Sequence, residues 1–197
     1  MANFLDKLPP AARPYVGQLL QQYDFTLRLT RNRTSKLGDY RYDRQSGRHT
    51  ISVNRDLNPF RLLLTFIHEL AHLVVTEEQP RRPRPHGAEW QATFRRLMQP
   101  LLVPRVFPEP LLAELMRHMR RPRAAAGSDP ALWQALAAFD NTKDKQQPLN
   151  LLPAGQRFIY RQRLYEKIKL RRTRVLCREV ATGRLYLIPG IMQVEEV

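Results

Sequence analysis

The stretch Leu62-Leu-Leu-Thr-Phe-Ile-His68-Glu69-Leu-Ala-His72-Leu-Val-Val75 decides how the rest of the chain is read. It is apolar over a length suited to a buried helix, yet it carries three ionisable side chains. At 3.6 residues per turn, His68 and His72 stand on one face, one turn apart. Buried among Leu, Ile, Phe and Val without partners, two imidazoles and a carboxylate would cost several kcal/mol. A metal ion removes that cost. The H-E-x-x-H spacing lets two ring nitrogens reach one Zn2+ at about 2.0–2.1 Å each, with Glu69 beside the ion as a general base that need not ligate it.

A catalytic zinc takes three protein ligands and keeps one open position. Downstream, Glu77, Glu78, His86, Glu89 and His118 are the candidates for the third. The metzincin spacing fails, because Val75 and Glu78 stand where it requires Gly and His. His86 opens a second helical stretch, His86-Gly-Ala-Glu-Trp-Gln-Ala-Thr-Phe94, after the proline-rich loop Gln79-Pro-Arg-Arg-Pro-Arg-Pro85. The pattern His68-Glu-Leu-Ala-His72, thirteen residues, then His86-Gly-x-x-Trp90 resembles the SprT/Spartan family of zinc metalloproteases. The resemblance implies that His68, His72 and His86 hold one zinc ion per chain and that Glu69 is catalytic. Glu89 is the alternative third ligand, by analogy with other zincins.

Working towards the N-terminus, Pro9–Tyr23 has a helical apolar face in Tyr15, Val16, Leu19, Leu20 and Tyr23. Phe25–Arg31 alternates with period two and reads as a strand. Lys36–Asp43 and Arg48–Asn54 flank Gln45-Ser-Gly47 as a hairpin, and Asn58-Pro59 is a cap followed by proline in the first turn of the metal helix. The expected fold class is α+β: a zincin-like domain of helices on a small antiparallel sheet, with a small β module after it. Strand Arg48–Asn54 is expected to be the edge that takes the extended substrate. His49 on that strand is expected to be structural, and His118 a surface residue on a closing helix.

Towards the C-terminus, 121–148 reads as a linker with a short helix, dividing a metalloprotease domain (1–120) from a basic β module (149–197). Gln156–Tyr160, Tyr165–Leu170, Arg174–Arg178 and Leu185–Ile188 read as its strands, with Ala181-Thr-Gly183 as a turn. Family members often carry a zinc ribbon with paired cysteines here. This chain departs from that pattern: Cys177 is its one cysteine, which excludes a four-Cys zinc site and an internal disulfide.

The net charge is +15, from 33 Lys and Arg against 18 Asp and Glu, a balance that attracts polyanions. In the tail, Arg161, Arg163, Lys167, Lys169, Arg171, Arg172 and Arg174 are the candidate nucleic-acid contacts. Phe158, Tyr160 and Tyr165 are either offered to bases or form the module's core. The partners expected are DNA, including single strands, and protein substrates on DNA, with no membrane. The N-terminus lacks a signal-peptide pattern and the apolar run at 62–75 is too short to span a bilayer, so a cytoplasmic setting is expected. What the resemblance implies is proteolysis of DNA-bound or DNA-crosslinked proteins. The alternative is a nucleic-acid-binding protein with a structural zinc and no peptidase activity.

Overall fold

The computed structural model describes residues 2–31, 33, 36–79, 84–122, 129–140 and 146–197. A short helix α1 (Ala2–Leu5) and a 3-10 turn lead into α2 (Arg13–Gln22), which buries Val16, Leu19 and Leu20. Three strands follow: β1 (Thr26–Thr30), β2 (Gly38–Tyr42) and β3 (His49–Asn54). Their order is β1-β3-β2, with β3 antiparallel to β2 and parallel to β1. The sheet is therefore mixed rather than antiparallel. Strand β3 lies at its centre, so the expected edge at Arg48–Asn54 is instead the enclosed strand.

The physical reason lies in the connection between β1 and β2, which crosses the end of β3. Asn54, fully buried at that end, donates through its amide to the carbonyls of Arg33 and Lys36, both at 3.1 Å. Its amide oxygen accepts from Arg33 Nε at 2.8 Å. A buried amide with each polar atom satisfied by the crossing segment fixes that crossing's path.

Helix α3 (Pro59–Glu78) is the central element. Asn58 caps it, accepting from the amides of Phe60 and Arg61, with Pro59 in the first turn. At 20 residues it is about 30 Å long. It is the one helix among the described residues with the length and hydropathy to cross a membrane, but 67% of that span is buried inside the protein. The side chains of β2 and β3 that face it include Tyr40, Ile51 and Val53. Helix α4 (Ala88–Met98) packs on it through Trp90, Phe94, Leu97 and Met98. Helix α5 (Leu111–Met119) completes the core.

Helix α6 (Pro130–Ala137), read from composition as part of a linker, packs Leu132 and Leu136 into this same core. Asp129 caps it. The Asp129 carboxylate also takes Arg117 Nη2 at 2.6 Å and meets His118 Nδ1 at 3.0 Å. His118 is thus buried rather than on the surface, because the cap of the next helix supplies its polar partner. At the far side of α6, Asp140 pairs with Arg61, which is 3% exposed and lies 3.6 Å over the Trp133 ring.

The C-terminal part is a separate six-stranded antiparallel sheet of order β4-β9-β5-β6-β7-β8. Its strands are β4 (Gln146–Pro148), β5 (Arg157–Tyr160), β6 (Arg163–Arg171), β7 (Arg174–Glu179), β8 (Leu185–Pro189) and β9 (Gln193–Glu196). It has its own core of Leu149, Leu152, Phe158, Tyr165, Val175, Cys177, Ile188, Met192 and Val194. The four strands expected are present, as is the Gly183 turn at φ 70°. Strands β4 and β9 are additions; β4 brings residues 146–148, read as the end of the linker, into the sheet, and β9 lies within the expected module.

Candidate metal centre

His68 and His72 project from the middle of α3, and His86 meets them from the turn before α4. The one available ligand atom of each lies within 4.8 Å of the other two. His86 Nε2 is 3.0 Å from His72 Nε2 and 3.2 Å from His68 Nε2. Neutral imidazoles bring one proton each, and Nε2 either donates or accepts, so direct bonds among three Nε2 atoms satisfy the group poorly. Tetrahedral ligation at 2.0–2.1 Å would set such nitrogens about 3.4 Å apart, close to what is seen. The residues present fit a metal ion.

His86 reaches this position through backbone shape. Its φ of 58° lies in the left-handed region, where a non-glycine residue is uncommon and histidine is among those enriched. The Gly87 amide bonds to the Arg84 carbonyl at 2.8 Å, and a Cβ at Gly87 would lie 2.8 Å from that same oxygen. The glycine that follows His86 is thus required by close packing of backbone on backbone. Glu89, the alternative ligand, is exposed on the first turn of α4 and is not among the converging atoms.

Trp90 forms the floor. It is 1% exposed, with ring centroids 4.6, 5.5 and 4.7 Å from His68, His72 and His86. Its Nε1 donates to the His68 carbonyl at 3.4 Å. Tyr40 stacks against His72 on another side, at 6.3 Å and nearly parallel, while its hydroxyl meets His49 Nδ1 at 2.8 Å. His49 Nε2 in turn lies 4.0 Å from Glu77 on α3. Burial holds His68 well below the usual histidine range and His72 at about 4, with the neighbouring histidines adding to the effect; burial lowers His86 too. All three are therefore neutral at pH 7, the form that ligates.

Glu69 is 8% exposed. Burial first, and Asp39 second, push its carboxyl up to about 8 against the opposing pull of Arg33, the Tyr40 backbone amide and Lys36. Room for it is made by Gly38. A Cβ there would stand 2.6 Å from Glu69 Oε1 and 2.6 Å from Thr65 Cγ2. Gly38 has no recognisable signal in the sequence, since the contact joins residues 31 positions apart.

A model of the SprT-like family matches residues 11–109. The chain belongs to the SprT-like family. Neither the curated proteins nor the solved structures searched returned a match. The SprT-like region takes in the mixed sheet, α3, α4 and the whole histidine cluster, and it ends before α5. The family's domain is of metallopeptidase type, in keeping with the cluster.

The C-terminal sheet lies outside the SprT-like match, and the candidate nucleic-acid residues on it divide into three groups. Lys167 is buried: its Nζ donates to the carbonyls of Leu149 (3.1 Å), Asn150 (2.9 Å) and Leu152, so it ties down a turn and is withdrawn from solvent. That corrects its reading as a phosphate contact. Arg163 is exposed but donates to the buried Glu179 at 3.0 Å. Arg161, Lys169, Arg171, Arg172 and Arg174 are exposed. Strand β6 runs about 30 Å from Arg163 to Arg171, so Arg161 and Arg163 stand at one end and the other four at the β6–β7 turn. Phe158 and Tyr165 are buried in the module's core, which leaves them unavailable to stack on bases. Arg81 and Arg82 of the proline-rich loop lie outside the described residues.

Proposed function

We propose that this SprT-like chain is a zincin-like, zinc-dependent endopeptidase acting on proteins bound or crosslinked to DNA. The observation that carries the reading is the meeting of three neutral imidazoles at 3.0–3.2 Å with a buried glutamate one residue along the same helix. His68, His72 and His86 hold the ion, and a zinc ion there supplies Lewis-acid polarisation of a carbonyl and a water acidic enough to react near neutral pH. Glu69, next to the ligand His68 on the same helix, takes the proton of the attacking water and returns it to the leaving amine. The Tyr40 amide and the space at Gly38 hold the Glu69 carboxylate for that exchange, and Trp90 keeps water from beneath the histidines. Strand order moves the expected substrate-side edge from β3 to β2, where an extended peptide runs past Glu69. The exposed arginines and lysine of the β6–β7 turn, with the chain's positive charge, support DNA as the polymer on which enzyme and substrate meet.

The test is Glu69→Gln in the full chain. Zinc content is expected to stay near one equivalent and DNA binding to stay at the wild-type level. Cleavage of a DNA-bound protein is expected to drop by about 10²–10⁴-fold. Zinc-loaded wild type that never cuts, with or without single-stranded DNA, would leave a binding protein with a structural metal.

A further inference from the structure

Beside the metal centre lies an open cavity of about 610 Å³, lined by Arg84, His86, Gly87, Gln91, Arg121 and Pro122 among others. It shares His86 with the histidine cluster. Arg84 and Arg121 are exposed, and among the described residues neither is in an ion pair. Glu89 is close by on α4 but does not line the cavity. Gly87 caps α4 without a side-chain bond, and Glu89 in the first turn, whose Oε2 would lie 3.3 Å from a Cβ at Gly87, offsets the helix's positive end, so the positive field at the cavity comes from the two arginines. Two exposed guanidiniums, in no ion pair among the described residues and beside the histidine cluster, form a receptor for a carboxylate, which Arg binds in a bidentate manner.

We infer that this cavity is a specificity pocket for an acidic side chain, Asp or Glu, of the polypeptide substrate close to the scissile bond. The inference rests on the peptidase reading: a peptide held at His86 for cleavage passes the cavity, and each extended residue advances it by about 3.3 Å. A polyanionic phosphate backbone has no reason to share the histidine that holds the metal. A peptide does.

The experiment uses full-length, zinc-loaded Glu69→Gln protein and measures binding by fluorescence polarisation. The probes are two labelled degenerate decapeptide pools, capped at both ends, with Glu or Gln fixed at one central position. About tenfold tighter binding of the Glu pool is expected. That preference should vanish in Arg84→Gln/Arg121→Gln, with zinc content unchanged. Equal binding of the pools, or a preference that survives in the double variant, overturns the pocket. So does a result in which the double variant loses affinity for a single-stranded oligonucleotide and the pools bind alike, since the arginines then serve phosphates. Cleavage of the same pools by wild type separates the two readings. A protein that cuts both pools alike is a peptidase without this pocket, and one that prefers the Glu pool yet never cuts retains the pocket and loses the peptidase.

Discussion

Glu69 owes its place to a residue with no side chain. Any Cβ at Gly38 meets the Glu69 carboxylate and the Thr65 methyl at 2.6 Å, well inside van der Waals contact. In Gly38→Ala, Glu69 is expected to move while the histidines, on the other flank of the helix, stay. Turnover should fall at least tenfold with zinc content unchanged, measured by metal analysis and steady-state kinetics side by side. A second expectation concerns the metal-free protein. In the unfolded chain histidines take up protons near pH 6.5, whereas burial holds folded His72 at about 4 and keeps His68 well below its usual range. Between those values the unfolded state binds more protons at each histidine, which lowers stability as pH falls by at most about 1.4 kcal/mol per pH unit for each. Glu69, raised to about 8, opposes this with one proton held by the folded state, so the net slope is the histidines' less that of Glu69. Urea midpoints of chelated protein at pH 7, 6 and 5 check this, and His72→Asn should flatten the slope. At this scale the sequence was informative where chemistry is local: H-E-x-x-H is one helical turn, and its period reports its geometry. Gly38, Tyr40 and the His118–Asp129 pair depend on contacts across the fold, which no window of sequence contains.

Among elements, α6 is where composition and packing part. A run of Ala, Gly, Ser and Pro from 121 onwards reads as a boundary with a short helix after it, yet composition does not tell which core the helix joins. The joining is done by Leu132, Leu136 and the Arg61–Asp140 pair. Ending the chain at Gly127 therefore strips the partner from a guanidinium that is 3% exposed. Breaking a buried pair from one side costs about 3–5 kcal/mol. A chain ending at Gly127 is expected to be poorly folded, whereas one ending at Asn141 is expected to unfold cooperatively and hold zinc; thermal melts of the two fragments decide it. The sheet shows the same limit differently. Alternation identified β1, β2 and β3 to within a residue or two, but their order depends on long-range contacts such as those by which Asn54 at the end of β3 holds Arg33 and Lys36. Strands β4 and β9, three and four residues long, exist because they pair, and carry too little pattern to be seen alone.

Over the whole molecule, a formal charge of +15 overstates what a polyanion meets. Lys167 is spent on three carbonyls, Arg163 on Glu179, Arg61 on Asp140 and Arg117 on Asp129 and Glu114. The exposed cluster at the β6–β7 turn is the part of the tail best placed for phosphates. Changing Lys169, Arg171, Arg172 and Arg174 to Gln is expected to weaken binding of a single-stranded oligonucleotide and to reduce the salt slope by up to about 3, at about 0.7 for each lost contact. Lys167→Met should act otherwise: by leaving three carbonyls without a donor it should lower the stability of the module by about 1–3 kcal/mol and leave the slope of the folded protein alone. Titrations at several salt concentrations beside thermal melts separate the two effects.

Helix α3 carries the Asn58–Arg61–Asp140 cluster at one end and the histidines at midspan, on a single unbroken rod. A rod transmits in both directions. On the zinc reading, loosening α6 at one end of the rod is expected to weaken the histidine site at midspan. Asp140→Ala should lower zinc affinity, measured by competition with a chelator, and an unchanged affinity would show the two ends independent.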